Sequence, residues 1–106
     1  ELNKWLRNLV NVIDMKIVRG PYANYIEMPG NRGVTGMVMI ETSHIAFHAW
    51  DEERPSITQC DIYSCAEFSV PEVLLQFRMM EPVKIDYIVL DREHELTCKN
   101  PEAHVV

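Results

Sequence analysis

The chain has 106 residues, 47% of them hydrophobic, which is enough apolar mass for one core and too little length for several domains. A formal net charge of −6 excludes a general nucleic-acid binder, which needs a basic face to displace counterions. Its three cysteines, Cys60, Cys65 and Cys98, are too few and too scattered for a disulfide framework, which points to a reducing, cytoplasmic setting. No apolar run reaches the roughly 18 residues of a transmembrane helix, and no secretory leader is visible. A domain this small has a large surface for its volume, so burial against a second copy, a homodimer, is expected.

The chain opens inside a helical pattern and at Glu1 rather than Met, which leaves room for a preceding strand. Leu2, Trp5, Leu6, Leu9, Val10 and Ile13 recur at helical spacing and predict a one-sided amphipathic helix. Residues 15–19 predict a short strand ended by Gly20-Pro21, and residues 22–28 alternate weakly as another. Pro29-Gly30-Asn31-Arg32-Gly33 is a turn. Residues 34–40, 44–50 and 57–64 predict three strands rich in branched and apolar residues, with a charged loop before the last. Ser69 caps a second helix, with Pro71 in its first turn and Glu72 placed to close a capping box. Val70, Val73, Leu74 and Phe77 form its buried stripe. Residues 83–90 predict a last strand with Val83, Ile85, Tyr87 and Val89 on one face, and residues 92–106 a loose tail. Met37, Met39, Met79 and Met80 are read as plastic core packing. The central strands are joined too closely for helical crossovers. The expected fold is therefore α+β: a single domain over residues 1–106, built as a two-layer sandwich of a mainly antiparallel sheet with two helices packed on one face.

The unusual residues gather in one region. Thr42-Ser43-His44 is followed by His48-Ala49-Trp50-Asp51-Glu52 and by Asp61-Ile62-Tyr63-Ser64-Cys65, with Gly33-Val34-Thr35-Gly36 upstream. Taken singly, a serine opening a strand is a turn residue, His44 a structural hydrogen-bonding residue, Trp50 a core residue and Cys60 a packed one. A zinc site from His44, His48, Cys60 and Cys65 is disfavoured, because the cysteines fall on opposite faces of their strand and the spacing is not a zinc-finger pattern; no metal is expected. Strand parity sets Ser43 opposite positions 44, 46, 48 and 50. Ser43 and His48 then converge only if Ser43 lies at a strand end, turn or bulge, or if a second subunit completes the site.

Taken together, these motifs resemble the small prokaryotic form of S-adenosylmethionine decarboxylase. That family carries a Gly-Val-Ser-Gly turn, a Glu-Ser-His, a histidine five residues after the serine, a His-Thr-Trp-Pro-Glu run and then Asp-x-x-x-Cys. The resemblance runs from about Leu2 to Leu90 and implies a self-made cofactor. The Ser43 hydroxyl would attack the Thr42 carbonyl to give an ester, and elimination would then split Thr42 from Ser43 and leave a pyruvoyl group. The pyruvoyl ketone would take up the substrate amine and act as an electron sink while carbon dioxide leaves. By the same resemblance, His48 would remove the Ser43 α-proton, Thr35 would assist processing, and Cys65 would reprotonate the decarboxylated carbon. Trp50 would stack on the nucleoside base and Glu52 would hold the ribose hydroxyls. The implied activity supplies decarboxylated S-adenosylmethionine for polyamine (spermidine) synthesis.

Several positions depart from the family pattern. Thr42 replaces the glutamate before the cleaved bond, Ala49 and Asp51 replace threonine and proline beside Trp50, and no aromatic residue occurs within 28–32. The loop leading to Cys65 is also slightly longer. Asp51 and the missing aromatic motivate an alternative substrate, a basic amino acid such as arginine or ornithine. Thr42 motivates another alternative, an unprocessed homologue acting as a binding or regulatory subunit.

Overall fold

The computed structural model describes residues 1–93, 95–99 and 104–105. The chain divides into two compact units, Glu1–Gln76 and Phe77–Val106. The first holds α1 (Leu2–Val12), β1 (Ile17–Ile26), β2 (Gly33–Ile40), β3 (Ser43–Trp50), β4 (Ile57–Ser64) and α2 (Val70–Arg78) as far as Gln76. The four strands form one antiparallel sheet in the order β1-β2-β3-β4, each paired with its neighbour in sequence. Short links allow no other pairing. The α+β class with a mainly antiparallel sheet is thereby observed.

Helix α1 begins where the Glu1 carboxylate accepts the Lys4 N–H at 3.4 Å, an N-terminal cap. Its apolar stripe, Leu6, Leu9 and Val10, continues into Ile13 and is buried, and the helix packs on β1 and β2. Facing it are Val38 and Ile40 from β2 and Ile45 and Phe47 from β3, none more than 3% exposed. The Trp5 ring tilts onto Phe47 at 5.5 Å. A Cβ on Gly36 would lie 2.7 Å from a Leu2 methyl, so the missing side chain is what lets α1 approach the sheet. Gly33 has φ 149°, and a Cβ there would run into the Ala49 carbonyl of β3. The expected cap of α2 is present, with Ser69 Oγ accepting the Glu72 N–H at 3.3 Å. Gln76 ties α2 to α1: its Oε1 accepts from Asn8 Nδ2 at 2.7 Å and its carbonyl from Trp5 Nε1 at 3.2 Å.

Three expectations are corrected. Residues 15–19 and 22–28 do not form separate strands; β1 runs through Gly20-Pro21 with a register shift between Arg19 and Tyr22. An edge strand tolerates this, since the N–H that proline lacks can face outward. Met37 and Met39 are not core residues: they are 51% and 53% exposed, because strand alternation gives the helix face to Val38 and Ile40. Met79 and Met80, which follow α2, are exposed as well. Residues 83–90 do not form one strand. The second unit holds β5 (Asp86–Tyr87) paired with β8 (His104–Val105), and β6 (Leu90–Asp91) paired with β7 (Thr97–Cys98). Apolar alternation names the face a strand would bury, but only a partner ladder makes the strand, and here each ladder is two residues long. The expected tail over 92–106 lies partly outside the described residues, although its Thr97–Cys98 portion is paired.

The sheet face away from α1 carries Tyr22, Met37, Met39, Ile57 and Tyr63, all between 41% and 61% exposed. His44, Ala46, His48 and Trp50 stand on the same face by register and alternation. Among the described residues, no helix is long and apolar enough to cross a membrane.

Candidate active site

The turn Glu41-Thr42 links β2 to β3 and sets Ser43 at the first position of β3, paired with Ile40 on one side and Ser64 on the other. The Ser43 φ is 145°, in a region that L side chains rarely adopt. Holding a serine there costs about 1–3 kcal/mol. Its Oγ lies 3.2 Å from His44 Nδ1, and the His44 ring meets Tyr63 edge-on at 5.6 Å. Because Ser43 pairs with Ser64, the residues just outside that pair are also neighbours: the Cys65 backbone N–H donates to the Thr42 carbonyl at 2.9 Å. The lengthened loop before β4 has therefore not carried Cys65 away from the Thr42–Ser43 bond. The Thr42 hydroxyl is engaged elsewhere, donating to Met15 Sδ at 3.2 Å.

A second cluster occupies the other end of β3. His48 is paired with Thr35, and Thr35 Oγ1 sits 3.3 Å from His48 Nδ1. The His48 ring stacks on Trp50 at 5.7 Å, and Trp50 Nε1–H donates to Asn31 Oδ1 at 2.7 Å. Both oxygens of Glu52 accept backbone N–H groups, from Gly30 at 3.0 Å and Arg32 at 3.1 Å. Those two amides hold the Glu52 carboxyl below the usual carboxylate range. Gly30, Trp50, Glu52, Glu53 and Ile57 line an open cleft of about 420 Å³. Asp51 does not enter it. Its carboxylate accepts the Tyr25 hydroxyl at 2.6 Å, and that bond raises the Tyr25 pKa. Tyr25 shares its sheet face with Val34 and Ala49, opposite Trp50.

The expected site residues therefore fall into two groups. Thr42, Ser43 and Cys65 come together at one end of β3; Thr35, His48, Trp50 and Glu52 come together at the other. Ser43 does sit at a strand end, but the pairing of β3 is regular from Ser43 to Trp50. Five residues of strand separate Ser43 from His48 by ~17 Å at the usual rise, so the two do not meet within one chain. Cys60 is half-buried, and burial pushes its thiol up to about 12, which makes it a packing residue. Asn31 and Tyr25 carry no pattern in the sequence that announces their roles. His44 does adjoin Ser43 in the sequence, yet parity places neighbours on opposite faces, and it is the positive φ of Ser43 that lets its hydroxyl reach the ring.

The antiparallel sheet thus carries a serine at positive φ with its preceding carbonyl hydrogen-bonded at one end of β3, and an acidic, aromatic cleft at the other. The S-adenosylmethionine decarboxylase family model matches residues 1–93, and the chain belongs to that family. Among similar proteins is an S-adenosylmethionine decarboxylase proenzyme of Methanococcus maripaludis strain C5, 32% identical over 66 residues, covering 58% of this chain and 50% of the relative. A protein of the same name from Pyrococcus horikoshii is 32% identical over 65 residues, covering 61% of this chain and 45% of its own length. Another, from Persephonella marina, is 33% identical over 64 residues, covering 57% and 45%. The chain thus spans about half the length of the curated relatives it matches. No solved structure matches it.

Proposed function

We propose that this chain is a self-cleaving decarboxylase acting on S-adenosylmethionine, whose product feeds spermidine synthesis. The observation that carries this reading is the state of the Thr42–Ser43 bond. Ser43 is held at φ 145°, and the carbonyl before it is polarised by the Cys65 N–H. Attack of Ser43 Oγ on the Thr42 carbonyl carbon builds negative charge on the oxygen that this N–H already contacts. Collapse breaks the Thr42–Ser43 amide and leaves an ester, and it releases the backbone strain at Ser43. Removal of the Ser43 α-proton then expels the Thr42 carboxylate. The resulting dehydroalanine tautomerises to an imine, and water hydrolyses it to a pyruvoyl group and ammonia.

The position suits that group, since residue 43 opens a strand beside the exposed Cys65. The pyruvoyl ketone supplies an electron sink for decarboxylation. Cys65 is the acid that returns a proton to the substrate carbon. Trp50 offers a ring face to the nucleoside base, and Glu52 has unused lone pairs for the ribose hydroxyls. Glu52 and Glu53 give the cleft a charge that suits a sulfonium cation.

A homodimer reconciles the two clusters. The open sheet face presents both His48 and the exposed Met37, Met39, Tyr22 and Tyr63. A second copy laid antiparallel on this face covers those apolar groups and carries its own His48 and Thr35 toward Ser43. The thiols of Cys60 and Cys65, which are not in disulfides, fit a cytoplasmic setting. The engagement of Asp51 by Tyr25, on the face opposite Trp50, removes one of the two motives for an arginine or ornithine substrate, the other being the missing aromatic residue at 28–32. Carbon dioxide release from carboxyl-labelled S-adenosylmethionine, arginine and ornithine tests the reading. Release from S-adenosylmethionine alone is expected; release only from an amino acid contradicts it.

A further inference from the structure

The geometry points to His44 as the base that starts self-cleavage, a step distinct from the later removal of the Ser43 α-proton by His48. The inference rests on the self-cleavage reading above. Among the described residues, the titratable side chain in contact with the Ser43 hydroxyl is His44, with Nδ1 3.2 Å from Oγ. That is close enough for proton transfer between heavy atoms. In the tautomer carrying its proton on Nε2, Nδ1 accepts the hydroxyl hydrogen. His48 of the same chain is ~17 Å away by strand rise, with its Nδ1 facing Thr35 Oγ1 at 3.3 Å, so a His48 that reaches Ser43 comes from a second copy, whereas His44 is already in contact with the hydroxyl within the chain.

The two histidines thus serve different atoms. As the Oγ–H proton passes to His44 Nδ1, Oγ bonds to the Thr42 carbonyl carbon, and the oxygen becomes an oxyanion against the Cys65 N–H. When the C–N bond breaks, the same proton returns from His44 to the departing Ser43 nitrogen. The acyl shift is therefore proton-neutral and needs no external reagent. Tyr63, edge-on to the ring at 5.6 Å, and the strand pairing on both sides of His44 limit how far the imidazole can turn from Oγ. His44 touches a reacting atom, so its part in processing is catalytic.

The test follows self-cleavage by intact mass in the wild-type protein and in His44→Ala and His44→Gln. Hydroxylamine is added to reveal any ester, which it cuts while leaving an amide intact. Gln keeps a hydrogen-bonding group beside Ser43 but is no base. Both variants are expected to cleave about 10²–10⁴-fold more slowly than wild type. Both should resist hydroxylamine, because the block comes before the ester, and added imidazole should speed cleavage of His44→Ala. Wild-type cleavage by either variant, a hydroxylamine-sensitive ester building up in either, or no restoration by imidazole would overturn the proposal. Should His44→Ala not fold, His44→Gln decides on the first two criteria. An uncut wild-type protein would instead overturn the self-cleavage reading itself.

Discussion

Glu52 shows how one carboxylate can fasten a binding cleft. Its oxygens hold the N–H groups of Gly30 and Arg32, so the turn before β2 is pinned to the end of β3 beside Trp50. Because these bonds favour the ionised form, the folded carboxyl titrates below its unfolded value. Such a group stabilises the pinned turn fully above the unfolded value, about 4.3 for glutamate. That contribution is lost as pH falls through the lower folded value. The Gly30 and Arg32 amide resonances should therefore shift together below about pH 4, and in Glu52→Gln that acid transition should disappear. Unchanged amide titration in the variant would contradict the assignment. The candidate residues Ser43, His48, Trp50, Glu52 and Cys65 are picked out in the sequence by the motifs shared with the family, while each taken singly reads as an ordinary turn, strand or core residue. Partners are harder to read. Asp51 looks like a charge added to the cleft, yet its hydrogen bond to Tyr25 crosses β2. Only the register of three strands discloses that.

At the scale of elements, the Gly33-Val34-Thr35-Gly36 segment has a physical reason for each glycine. At Gly33 a side chain meets rigid backbone at Ala49, in a conformation that L residues rarely adopt; at Gly36 it meets the movable ends of Leu2 and Leu6. Gly36→Ala should therefore cost about 1–3 kcal/mol, the usual range for an overfilled core. Gly33→Ala should cost more and disturb the Trp50 end of β3, as thermal unfolding and tryptophan fluorescence would record. An equal or smaller loss at Gly33 would contradict this account. The helix α1 is legible because its periodicity reports burial directly, and β2, β3 and β4 because runs rich in branched and apolar residues between turn signals mark strands. The strand predicted over 83–90 is not found, because its alternation is real but says nothing about a partner ladder. The methionines mislead for a related reason: residue type suggests a core, and only the register of Val38 and Ile40 assigns Met37 and Met39 to the open face.

At the scale of the whole molecule, the ~17 Å of strand between Ser43 and His48 is the ground for proposing that two copies share the site. Ser43→Ala and His48→Ala should each stay uncut when made alone. When they are co-expressed, cutting should return, and only in the chain carrying His48→Ala, whose intact Ser43 meets the other copy's His48. Failure of the mixture to cut, or cutting of His48→Ala alone, would contradict a shared site. Parity in the sequence already hints at this division by placing Ser43 and His48 on opposite faces, but the regular pairing from Ser43 to Trp50 is what gives it a length. The most direct test of the central claim is the intact mass of the purified protein. Two fragments are predicted, residues 1–42 and residues 43–106, the second beginning with a carbonyl group that borohydride reduces. A single chain with an unbroken Thr42–Ser43 bond would contradict it.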